Sequence, residues 1–125
     1  MEAVLQMELF PSAADYEVQK TKEHLENYRL MQRHLKVYSQ KPILSSKEQE
    51  LLDKAKKLIP EIDTAFELIM DEEVYDILTH RYKTAGKHKY TIARYVSSTS
   101  ISTINRRIEA GIETIAECLK IADVI

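Results

Sequence analysis

The apolar positions of this chain recur at helical intervals for almost its whole length. Val18, Leu25, Tyr28, Met31, Leu35 and Tyr38 fall three, four or seven residues apart, a spacing that stacks them on one face of an α-helix. After a lead-in over 1–11, Ser12 or Asp15 can cap that helix, which the pattern carries to about Tyr38. A loop follows over 39–45, where Pro42 keeps the residue before it out of the helical region. Ser45 with Glu48, or Ser46 with Gln49, then offers a capping box. Leu51, Leu52, Ala55, Leu58 and Ile59 form the next apolar stripe, and Ile62, Ala65, Phe66 and Ile69 extend it. Pro60 between them either kinks that helix or starts a new one. Asp71, followed by Glu72 and Glu73, opens a further helix bearing Val74, Ile77, Leu78, Arg81 and Tyr82. Gly86 suits its C-terminal cap.

The last third changes character. Ile92, Ala93 and Val96 are expected to be the buried side of a short helix, with the small Ala93 letting a second helix cross closely. Ser97 to Ser100 form a polar turn, and Thr99, Ser100 or Ser102 can cap the helix after it. That helix carries Ile101, Ile104, Ile108, Ile112 and Ile115 on one side. Opposite them, at about 100° per residue, stand Thr99, Ser102, Thr103, Arg106 and Ala110. Asn105 falls nearer the buried side.

This is an all-α fold: a helical N-terminal segment over 1–45, then a helical domain over 46–125 with a helix-turn-helix at about 88–122. Two glycines, three prolines and no tryptophan leave little room for the turns of a β fold. The long amphipathic helix and the apolar tail (Ile115, Leu119, Ile121, Val124, Ile125) need a partner, either the rest of the chain or a second copy, and a homodimer is expected. No apolar run reaches membrane-spanning length, and the N-terminus lacks the pattern of a signal peptide. The single Cys118 has no disulfide partner and reads as a packing thiol. A cytoplasmic location is expected, with no membrane partner.

Charge sharpens the picture. The net charge is -2, yet residues 1–76 carry -6 and residues 109–125 carry -3. The 32 residues between them hold Arg81, Lys83, Lys87, Lys89, Arg94, Arg106 and Arg107 and no acidic side chain. A carboxylate-free basic window in an acidic chain, coinciding with a helix-turn-helix pattern, points to double-stranded DNA. Ser102, Thr103 and Arg106 are the candidate base readers, since hydroxyls hydrogen-bond to several base edges and arginine pairs best with guanine. Lys87, Lys89, Arg94 and Arg107 are the candidate phosphate contacts. An ordinary helical hairpin with a solvated basic face would leave a similar trace.

Catalytic patterns are missing. Histidines 24, 34, 80 and 88 form no metal-binding pair at helical spacing. His24 between Glu23 and Glu26 resembles half a metal site, but on so charged a helix it reads as part of a solvated face. Glycines only at 86 and 111 exclude a glycine-rich phosphate loop. No enzyme activity and no cofactor are expected.

From Ile77 to Leu119 the chain resembles region four of bacterial sigma factors, through Leu78, Arg81 and Tyr82, then Ile92-Ala93, the serine-rich turn, and Ser102-Thr103 with Arg106-Arg107. Over most of its length it resembles the ArpU-like family of phage and prophage transcriptional regulators, through Leu9-Phe10-Pro11 and the set Leu25, Tyr28, Arg29, Met31 and Arg33. Three departures are visible. His88 stands where Ser or Thr usually caps the first helix. Ser97 or Ser98 stands where the turn usually has glycine, and the interval from Ala93 to Ile104 is one residue longer than common. The resemblance implies a regulator that binds promoter DNA in a bacterial host cell, with RNA polymerase contact implied by the sigma-like region. Two alternatives remain open: a phage DNA-packaging subunit of the small-terminase type, and a helical factor that binds a host protein and no DNA.

Overall fold

A computed structural model describes residues 13–125, and the described chain is all-helical. Six α-helices follow one another: α1 (Asp15–Glu26), α2 (Tyr28–Tyr38), α3 (Ser46–Glu67), α4 (Glu72–Thr79), α5 (His88–Tyr95) and α6 (Ile101–Ile121), with a π-helical turn, His80–Thr84, extending α4. The leading Leu9-Phe10-Pro11 and the candidate cap Ser12 lie outside the described residues.

The expected first helix is two. α1 ends at Asn27, whose backbone takes φ -94° and ψ 2° and whose amide Nδ2 donates to the Glu23 carbonyl at 3.0 Å. An asparagine that satisfies a helix carbonyl with its own side chain competes with the continuing backbone ladder. Nor does Asp15 cap the helix. It is the first helical residue, and Glu17 reaches back so that its Oε1 accepts the Ala14 N–H at 2.8 Å.

Other boundaries follow local chemistry. Of the two possible capping boxes, Ser45 and Glu48 form theirs: Ser45 Oγ accepts the Glu48 N–H and Glu48 Oε1 accepts the Ser45 N–H. α3 continues through Pro60 without a break; the proline ring costs the helix one donor, and the Thr64 hydroxyl donates to the Pro60 carbonyl at 2.9 Å. Asp71 Oδ1 accepts from the Glu73 and Val74 N–H groups. Gly86 sits past the π turn at φ +74°, a left-handed conformation that glycine adopts without strain.

One core joins all of this. Leu25, Tyr28 and Met31 are buried with Ala55, Ile59, Ile62, Phe66, Ile77, Leu78, Tyr82, Ile104, Ile112 and Leu119, so side chains from both sides of position 45 share it. α2 packs along α3, while α6 packs on α4, α1 and α3. The stripe on the first helices is therefore covered by its own chain, and the homodimer expected from it loses that face. At the C-terminal end Val124 and Ile125 are half-buried against the core, and Ile121 is exposed.

Polar groups bind the first helices to the rest. The Tyr28 hydroxyl donates to Asp63 Oδ1 at 2.5 Å, and Lys83 Nζ donates to the same oxygen at 2.9 Å from above the Phe66 ring. Buried Arg81 meets Glu26 Oε1 at 2.5 Å and lies over the Tyr82 ring.

Candidate nucleic-acid interface

α5, the connection over residues 96–100 and α6 have the order and lengths of a helix, a turn and a longer helix. Ser100 begins α6: of the three possible caps it is the one used. Its Oγ accepts the Thr103 N–H at 3.2 Å and its hydroxyl donates to Thr103 Oγ1 at 2.9 Å. Ile104, Ile108, Ile112 and Ile115 point into the core as expected, but Ile101 does not and is 50% exposed. The first turn of α6 thus projects beyond the body that its later turns hold.

α5 is rotated by one position from the face read in the sequence. Thr91 is fully buried, with Ile92 and Tyr95 half-buried beside it, while Ala93 and Val96 face solvent. The cause is His80 on the π turn. Its Nδ1 lies 2.9 Å from Thr91 Oγ1, and its ring meets Tyr95 edge to face at 5.7 Å. Burying a threonine costs little once its hydroxyl has a partner. Burial, with nearby Arg94 adding to it, holds the His80 imidazole below its ordinary pKa. α5 contacts both the π turn and α6, and Ala93, being exposed, is not at a close helix crossing. A cleft of about 290 Å³ opens between α4, the turn and α6, lined by Glu73, Asp76, Tyr95, Thr99 and Arg107 among others.

The candidate residues divide. Arg106 is exposed on the second turn of α6, its Nη2 3.4 Å from Thr103 Oγ1. Ser102 is exposed, its Oγ 3.3 Å from that of Ser100. Thr103 is half-buried and its hydroxyl is taken up by the cap, which weakens it as a base reader. Asn105, expected near the core, is exposed instead. Ala110 is exposed too, but Glu109 beside it, paired to Lys22 at 3.2 Å, limits an anion-binding face to the first two turns of α6.

Three of the seven basic residues in the window have carboxylate partners from outside it. Arg107 is half-buried and paired with Glu73, so its charge already has a partner within the fold. Arg81 and Lys83 hold Glu26 and Asp63. Lys87, Lys89, Arg94 and Arg106 are exposed, and among the described residues none has a carboxylate at ion-pair distance. Helical geometry places Lys89 and Arg94 at the two edges of the outward face of α5, with Tyr90 and Ala93 between them. The Lys89 ammonium lies 5.2 Å from the centre of the Tyr90 ring.

Among the described residues no three potential ligands gather to hold a metal, and no helix is long and apolar enough to cross a membrane. No protein-family pattern, curated protein or solved structure matches this chain.

Proposed function

We propose that this chain is a DNA-binding transcription regulator of the phage and prophage type, with α5, the serine-rich turn and the first two turns of α6 as its contact surface. The observation that carries this reading is the division among the cations. Three are taken up by carboxylates within the fold, and four, Lys87, Lys89, Arg94 and Arg106, stand exposed around one helix–turn–helix end. Unpaired exposed cations beside a projecting helix start suit a phosphate backbone. In this reading Arg106 and Ser102 reach base edges, Lys87, Lys89 and Arg94 hold phosphates, and Thr103 shapes the cap. A contact with RNA polymerase belongs to the same proposal by resemblance alone, and a homodimer rests on what the apolar C-terminal end leaves uncovered, where Ile121 is exposed.

Selection from a random duplex library tests it. Enrichment of one sequence motif by the wild type, lost in Arg106→Ala, is the expected result. Retention of no duplex by folded protein contradicts it.

One observation favours a second reading, a protein-binding factor. Tyr90 on α5, Val96 in the connection and Ile101 at the start of α6 are each about half exposed, and exposed apolar groups along one segment suit a protein partner. The same selection separates the two, because a factor of that kind retains no duplex.

A further inference from the structure

Away from the α5–α6 end, a cleft of about 210 Å³ is lined by Lys20 and His24 of α1, by Lys54, Lys57 and Leu58 of α3, and by Val124. His24 is not on a solvated face, as its charged neighbours suggested. It is 7% exposed, and among the described residues its imidazole has no hydrogen-bond partner. Its ring nitrogens are not sealed from water, so solvent, or a ligand in the cleft, is left to satisfy them. Lys20, Lys54 and Lys57 are exposed, and among the described residues none has a carboxylate at ion-pair distance. The carboxylate that acts on His24 is Glu23 on its own helix. Glu17, two turns earlier, is held by the Ala14 N–H and by Lys120, and Asp53 on α3 accepts from Gln49.

We propose that this cleft binds the phosphate group of a small phosphorylated molecule. Three ammonium groups and an imidazole supply donors from two helices, and their combined charge suits a dianion better than a single carboxylate. The volume is below the roughly 300–1,000 Å³ of sites for drug-sized ligands, so the ligand is small. A duplex is a poorer fit, since the ring lies inside a concave site and not on a ridge. Burial first, and then Lys54 and Lys20, lower the His24 pKa. A bound phosphate reverses that balance, and a protonated His24 then becomes a fourth cationic donor.

The test is an NMR titration of the His24 imidazole in the full chain, its signals assigned by their loss in His24→Gln. Inorganic phosphate, a nucleoside monophosphate and a short DNA duplex are added in separate arms. The expected result is a saturable response to the first two, with the His24 pKa rising by roughly 1 pH unit, the size of effect an opposite charge gives at ~4–6 Å. The Lys54→Gln/Lys57→Gln variant, with unchanged circular dichroism, should lose that rise. Three results overturn the proposal: no saturable response to phosphate, an undiminished response in the double variant, or a response to the duplex alone, which would make the cleft part of a DNA surface.

Discussion

Arg107 on α6 is ion-paired with Glu73 at the start of α4, so a cation that the sequence offers to an anionic partner is answered within the chain. The pair is partly exposed and contributes little stability, about 0–1 kcal/mol by the usual worth of such contacts. Its effect on binding should be larger. Glu73→Gln frees one more cation beside the contact surface and removes a repelling carboxylate. DNA affinity should therefore rise, and the slope of log K against log salt should steepen by about 1. Anisotropy titrations across salt check this, and an unchanged slope would place Arg107 away from the DNA.

Arg106 should behave differently from the lysines. As a base reader, its replacement by alanine costs about 1–3 kcal/mol on a selected site and little on random duplex. Equal losses on both would make it a phosphate contact.

Gly111 lies buried in the middle of α6, where a Cβ would stand 2.8 Å from Leu78 Cδ2 and 3.1 Å from Val74 Cγ1. Gly111→Ala should gain roughly 1 kcal/mol of helix propensity. Against that, overpacking beside a fully buried Leu78 costs about 1–3 kcal/mol, so the net expectation is destabilisation. Urea denaturation decides it, and a raised midpoint would mean that α4 yields more readily than its packing indicates.

Most of the helical frame was legible because local chemistry announces it. Asp71, Ser45 with Glu48, and the isoleucines from 104 to 115 each do what their spacing indicates. The missed features depend on partners distant in sequence. Nothing near Thr91 tells that His80 will bury it and turn Ala93 outward, and nothing near Arg107 tells that Glu73 will hold it. His24 looked solvated because its sequence neighbours are charged, whereas its burial comes from helices that the local pattern does not mention.

His24 and His80 also tie stability to pH. Both imidazoles titrate below their ordinary value, each chiefly because burial disfavours the charged form. The unfolded chain therefore binds more protons than the folded one from about pH 6.5 down to the lowered folded values. Stability is fully present above that window and is lost as pH falls through it. Thermal melts at pH 7.5 and pH 5.5 should show a drop that His24→Gln reduces, and an unaltered drop would assign the loss to other groups.

Tyr28→Phe tests how the first helices are held. The lost hydroxyl gives up its hydrogen bond to Asp63, and burial, then that bond, raises its pKa well above the ordinary phenol value. Because Lys83 still partners Asp63, the cost should be about 1–2 kcal/mol in urea denaturation. No loss would show the contact to be incidental.

The most direct test of the central claim is DNA binding by fluorescence anisotropy at two salt concentrations, with the wild type beside a Lys87/Lys89/Arg94 triple alanine variant. The account predicts wild-type binding that weakens steeply with salt, and a variant that binds less tightly with a slope shallower by about 3. Folded wild-type protein that binds no duplex at low salt, or a variant with wild-type affinity and slope, would contradict it.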